Sequence, residues 1–117
     1  MSPISMSMRP TDPPDLCDNI RDEIAICSRH IDVLYAVLIH QPIGIIKLAQ
    51  QLQLPQHQVR YSLRILENCG YIVAGTTGAT IPLEPHELKH RLHAEIETLA
   101  LHMEAFAAHI HNNPHHS

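Results

Sequence analysis

Apolar residues recur along the chain at two different periods. Leu16, Ile20, Ile24, Cys27, Ile31, Leu34 and Leu38 follow one another every three or four residues, the spacing that places side chains on one face of an α-helix. This predicts a helix from about Asp15 to His40, with Asp12 before Pro13 and Pro14 as cap and first turn. Ser28 offers a cap for a second segment, should the helix be interrupted there. Gln41-Pro42 ends it, because a proline disfavours helical backbone in the residue before it. A second, shorter helix is expected from Gly44 to Leu52, with Ile45, Leu48, Ala49 and Leu52 on one side. "LQLP" makes a turn, and Pro55 suits the first position of a third helix reaching Asn68. Gly70 stops that helix, as the residue type best able to take left-handed backbone. The period then changes: "YIVA-GTTG-ATIP" reads as two short strands around a glycine-bounded turn.

Glu84 opens a last helix, with Pro85 tolerated in its first turn. Its apolar residues Leu92, Ile96, Leu99, Met103, Phe106 and Ile110 alternate spacings of four and three, which is a heptad seam rather than a broad stripe. The expected fold is therefore mainly α with a small β-hairpin. Residues 1–14 read as a disordered tail, 15–83 as one domain, 84–111 as a dimerisation helix and 112–117 as a second tail.

Composition narrows the class. Apolar residues make up 44% of the 117 and aromatics 3%, so the core must be built from Leu, Ile, Val and Ala. The longest apolar run, Val33 to Ile39, is too short to span a bilayer, and "MSPISMSMRPTDPP" lacks the charged and greasy regions of a secretory signal. Three cysteines without a paired motif suit a reducing compartment, so a cytoplasmic location is expected. The formal net charge is -4, but it is unevenly spread. From Gly44 to Leu83 there are Lys47, Arg60 and Arg64 against Glu67, a balance of +2; elsewhere five cations face eleven acids, a balance of -6. Local field matters more than the total, so the middle of the chain can attract an anion.

The stretch "LPQHQVRYSLRILENCGYI", residues 54–72, carries two of those three cations, Arg60 and Arg64. Laid on a helix at ~100° per residue, Val59, Ser62, Leu63, Leu66 and Cys69 fall on one arc, and His57, Arg60, Tyr61, Arg64 and Asn68 on the opposite one. Arg60 and Arg64 are one turn apart and so line up along the surface. Guanidinium groups match phosphate oxygens and the paired acceptors of guanine, while Asn and Gln can read adenine. A short helix, a tight turn and a second helix is the order of a helix-turn-helix, and a hairpin directly after it is a wing. "IDVLYAVLIHQPIGIIKLAQQLQLPQHQVRYSLRILENCGYIVA", residues 31–74, resembles winged helix-turn-helix regulators of the broad ArsR/MarR-like superfamily, and the resemblance covers about residues 31–82. Residues 54–72 in particular are similar to uncharacterised archaeal regulators. The resemblance implies a three-helix core, a short strand at Pro42-Ile43-Gly44 paired with the wing, and Gln56, His57, Gln58, Arg60, Tyr61 and Arg64 near DNA. Lys47, on the preceding helix, is expected to contact phosphate and position the unit. The wing tip, Gly75 to Gly78, carries no Lys or Arg, unlike many wings of such regulators.

Other chemistry is thin. His86, His90, His93 and Glu97 form a stripe beside the seam of the last helix, and imidazoles so spaced can share a metal. Glu84-x-His86 matches half of the zinc-sensor pattern of ArsR-like proteins, but Glu97 and Ala100 stand where its second half belongs, so no metal and no cofactor is expected. Cys17, Cys27 and Cys69 fall on or near apolar arcs and read as small buried hydrophobes. There is no nucleophile–base–acid constellation, phosphate-cradling glycine loop or HExxH, and an enzyme is not expected. The expectation is a homodimeric, sequence-specific regulator that binds double-stranded DNA and no membrane. A winged-helix protein adaptor and an effector-sensing repressor are the rivals.

Overall fold

A computed structural model describes residues 13 and 15–112; the tails expected at 1–14 and 112–117 therefore lie almost entirely outside the described residues, as does the expected cap Asp12. Four helices and one hairpin follow in the order α1 (Asp18–His40), α2 (Ile45–Leu52), α3 (Gln56–Asn68), β1 (Val73–Gly75), β2 (Gly78–Thr80) and α4 (Pro85–His111). The chain is thus mainly helical with a small antiparallel hairpin, as the two periods predict. Among the described residues no helix is long and apolar enough to cross a membrane.

α1 runs without a break through Ser28 and starts at Asp18, three residues later than expected. Ser28 has no need to cap, because nothing in its neighbourhood removes a backbone donor. The two halves of α1 have different surroundings. Val33, Leu34 and Val37 are buried, whereas Leu16, Ile20 and Ile24 are exposed. The first half keeps its apolar arc, but among the described residues nothing buries it. That also corrects the reading of the cysteines: Cys17, Cys27 and Cys69 are all exposed. Cys69 lies at the cap of α3, where the chain has already begun to turn away from the helix.

The core is aliphatic, as composition requires. Leu48 and Ala49 of α2, Val59 and Leu66 of α3 and Leu88 of α4 join Val33, Leu34 and Val37, with Ile43, Tyr71, Ile72, Ala79 and Ile81 around the hairpin. The two turns that orient α3 share one geometry. After α3, Gly70 has φ 81°, Gly70 N–H donates to the Glu67 carbonyl at 3.0 Å and Tyr71 N–H to the Leu66 carbonyl at 2.9 Å. This is a Schellman ending, with buried Tyr71 and Leu66 as its apolar pair. After α2, Gln53 takes the left-handed position at φ 54°, and Leu54 N–H reaches the Ala49 carbonyl at 3.1 Å. Here the left-handed residue carries a side chain, a conformation that costs about 1–2 kcal/mol relative to glycine.

β1 and β2 pair Val73 with Thr80, Ala74 with Ala79 and Gly75 with Gly78, leaving Thr76 and Thr77 as the turn. The strands are shorter than the sequence pattern suggests, because Tyr71, Ile72 and Ile81 pack into the core outside the ladder. The strand expected at Pro42-Ile43-Gly44 is present as a single antiparallel bridge from Ile43 to Ala79. Ile43 N–H donates to the Ala79 carbonyl at 3.2 Å, and Ala79 N–H to that of Ile43 at 2.8 Å. Gln41 adds a third tie, its Oε1 accepting from Ile81 N–H at 2.7 Å. Gly78 makes this approach feasible. It has φ 131°, and a Cβ there would lie 2.6–2.8 Å from the Ile43 backbone.

α4 begins with a reciprocal cap between Glu84 and Glu87, with Pro85 in the first turn. Its first two turns are anchored by Leu88, which is fully buried, and by Leu92, half-buried against the core. From His93 onward every residue of α4 is exposed.

Two substitutions test the turn geometry. Gly78→Ala combines a disfavoured φ with a backbone clash and should lower stability by at least ~1–3 kcal/mol, read as a fall in the urea midpoint. Gln53→Gly should raise stability by up to about 1 kcal/mol by relieving the left-handed strain; an unchanged or lower midpoint would count against that account.

Candidate nucleic-acid interface

α3 is held by the face that carries Val59, Ser62 and Leu66, all buried. The 3.6-residue period then dictates where the rest point. Lys47, Gln56, His57, Arg60 and Arg64 are exposed, as the sequence pattern predicts, and Gln58 is half-buried. Arg60 and Arg64 flank an open groove of about 560 Å³ between α3 and the hairpin, whose other walls include Leu63, Glu67, Ile72, Thr76 and Thr77. The two arginines therefore lean toward the hairpin, not straight outward. Tyr61 sits on the other flank, its ring centroid 5.7 Å from that of His30 on α1. It remains partly exposed, but one side of its ring is already occupied. The structure thus separates residues that a helical wheel groups together: Arg60 and Arg64 beside the hairpin, Tyr61 and Gln58 toward the remainder of the fold.

The cations differ in their commitments. Arg21 bridges Asp15 and Asp18, Arg29 donates to Ser62, and Arg91 is fully engaged at the end of α3. Among the described residues Lys47, Arg60 and Arg64 make no ion pair and no side-chain hydrogen bond. An exposed arginine without an internal partner keeps all its guanidinium donors for an incoming acceptor.

Two polar nodes hold α3 in place, and sequence reasoning found neither. Ser62, fully buried, lies where α1 crosses α3. Its Oγ accepts from Arg29 Nε at 3.3 Å and is 2.7 Å from His30 Nδ1. With one lone pair taken by Arg29, the hydroxyl keeps a second lone pair and its own proton, so it pairs with Nδ1 in either imidazole tautomer. Burial, and secondarily the Arg29 charge, hold His30 below the usual histidine range and so favour the neutral ring. The helical pattern puts Ser62 on the arc with Val59 and Leu66, but nothing in that pattern locates partners 32 and 33 residues upstream.

The second node is at the C-terminal end of α3. Arg91 of α4 donates to the Cys69 carbonyl and reaches the Gly70 carbonyl at 3.5 Å. Cations and donors are favourable there because the last carbonyls of a helix lack partners within it. The same guanidinium lies 4.1 Å from the centre of the Tyr71 ring, a cation–π contact. The Tyr71 hydroxyl donates to Glu95, which also lies 3.8 Å from Arg91 Nε. Burial first, and then the Glu95 carboxylate, push the Tyr71 phenol up to about 12, so it stays a neutral donor at physiological pH.

The histidine stripe remains a surface feature. Among the described residues no three His, Cys, Asp or Glu side chains converge on a point that could hold a metal. No protein-family model matches the chain, and no curated protein matches it.

His30 supplies a pH test. Folding favours its neutral form, so the unfolded chain binds the proton more readily. Its contribution is complete above the ordinary histidine value of about 6.5 and is lost as pH falls below it. Stability should therefore drop less steeply from pH 7 to pH 5 in His30→Gln than in the unsubstituted protein. Parallel urea-midpoint profiles for the two would show that the node does not titrate on unfolding.

Proposed function

We propose that this chain is a winged helix-turn-helix regulator that binds double-stranded DNA as a homodimer, with α3 as the recognition helix and the β1–β2 hairpin as the wing. The observation that carries this reading is the pair of uncommitted, exposed arginines one turn apart on a helix whose opposite face is buried. An α-helix fits the major groove, where a guanidinium can pair with both acceptors of guanine. Arg60 and Arg64 serve this purpose, Gln56 and His57 lie at the end of α3 that leads into the groove, and Lys47 binds a phosphate. Gln58 and Tyr61 are the weakest members of the set, being half-buried and in tilted ring contact with His30 respectively. The wing has no cation at Thr76 or Thr77 and adds little electrostatic affinity. The chain's net charge of -4 is no obstacle at the groove, since the acids lie mostly on α1 and α4.

A two-fold dimer presents its recognition helices to successive major grooves, about 34 Å apart. The bound site should be an inverted repeat with half-site centres about ten base pairs apart or a multiple of that. Three cations per subunit make about six per dimer, giving a log–log salt slope no steeper than about -5.

Selection from a random duplex pool, followed by binding measurements on the selected site, tests the reading. Arg60→Ala and Arg64→Ala should each cost about 1–3 kcal/mol of affinity and relax one base position if the contact is bidentate. Lys47→Ala should weaken all sequences alike and flatten the salt slope by about one. Unchanged DNA affinity in the folded double arginine variant would refute the assignment.

A further inference from the structure

The projecting part of α4 carries a seam with its own symmetry. Leu92, Leu99 and Phe106 occupy one heptad position, and Ile96, Met103 and Ile110 the other. The six are symmetric about Leu101. In an antiparallel pair of α4 helices centred there, Leu92 meets Ile110, Ile96 meets Phe106, and Leu99 meets Met103, each layer combining one residue of each heptad position. The positions flanking the seam on one side near the centre are Ala100 and Ala107, small enough for close approach.

A second observation picks out the same register. An apolar groove of about 520 Å³ lies between α1 and α4, lined by Ile31, Tyr35, Leu92 and Ile96 among others. It adjoins the two seam residues whose antiparallel partners are Ile110 and Phe106. Those two are 75% and 65% exposed, more than any other member of the seam. The structure assigns this groove to the C-terminal end of α4 from a second copy of the chain: Phe106 and Ile110 of each copy fill the groove at Ile31, Tyr35, Leu92 and Ile96 of the other. This deepens the homodimer reading, on which it rests.

A parallel pair is disfavoured by the same features. Leu88 fixes the folded core at the N-terminal end of α4, so parallel helices would crowd both cores at one end and leave the grooves without the exposed pair. It would also stack Phe106 on Phe106 in one layer, and align the two helix dipoles side by side. The antiparallel pair instead separates the cores. Arg91, which holds the end of α3, is ten residues from the centre; at about 1.5 Å per residue the two Arg91 anchors stand about 30 Å apart along the shared axis. That is the scale of the ~34 Å between successive major grooves.

Disulfide trapping distinguishes the arrangements. In a background with the three exposed native cysteines changed to serine, proteins carrying Ile96→Cys or Phe106→Cys alone are mixed and oxidised. The antiparallel register predicts that the mixed Ile96→Cys/Phe106→Cys disulfide dominates over either symmetric one. Dominance of the symmetric disulfides overturns the register while leaving the homodimer intact. Phe106→Asp/Ile110→Asp should sediment as a monomer with an unchanged circular dichroism spectrum, because both side chains are exposed in the single chain. A variant that stays dimeric overturns the groove assignment. An unsubstituted protein that is monomeric at tens of micromolar overturns both it and the homodimer, and binding of the Phe106→Asp/Ile110→Asp protein to single half-sites reports separately on the DNA reading.

Discussion

The burial of one face of α3 against α1 governs most of what this molecule can do. Val59 and Ser62 are fully buried and Leu66 nearly so, against a floor made by Val33, Leu34 and Val37. A helix is rigid about its own axis, so fixing that face fixes the azimuth of every other side chain on it. Arg60 and Arg64 point toward the hairpin because Val59 and Leu66 point into the core. Ser62 makes the contact specific as well as apolar. A buried hydroxyl without partners would cost about 1–3 kcal/mol, and Arg29 and His30 are the groups that satisfy it. Rotating or sliding α3 would break that node along with the aliphatic packing.

The other end of α3 is held by different chemistry. Its last carbonyls receive the Arg91 guanidinium, which is itself braced by the Tyr71 ring and Glu95. The C-terminal end of α3 is thus tied to α4 through the Arg91 side chain, and α4 divides at that point. Its first turns belong to the core, through Leu88 and Leu92; the rest extends outward with its apolar seam uncovered. The small core of the single chain does not extend to that part of the seam. The first half of α1, with Ile20 and Ile24 exposed, presents the same situation on the neighbouring helix.

Charge is organised on the same plan. Arg21 and Arg91 are spent within the fold, on carboxylates or on helix-end carbonyls, whereas the cations of α2 and α3 are left uncommitted. An acidic chain can in this way offer a locally cationic surface, since exposed charges more than a Debye length of about 8–10 Å apart are largely screened from one another.

Much of the architecture follows from the sequence alone, because it depends on near neighbours in the chain. The helical period, the change of period at the hairpin, Gly70 as the left-handed stop of α3 and Glu84 as the start of α4 are all set by backbone preferences within a few residues. The exposure of Arg60 and Arg64 is also local, since a helix that buries Val59 and Leu66 must turn them outward. What the tertiary structure alone decided is which arcs have something to pack against. The wheel places Cys17 and Cys27 with Ile20 and Ile24 on the same kind of arc as Leu34, yet only the second half of α1 meets the core. Tyr61 shares a face with Arg64 on paper but finds His30 beside it, and Arg91 reads as one more surface cation until α4 brings it to the Cys69 carbonyl 22 residues earlier in the chain. Contacts across such separations depend on how helices cross. That is fixed by the shape of the whole core and leaves no periodic trace in any one segment.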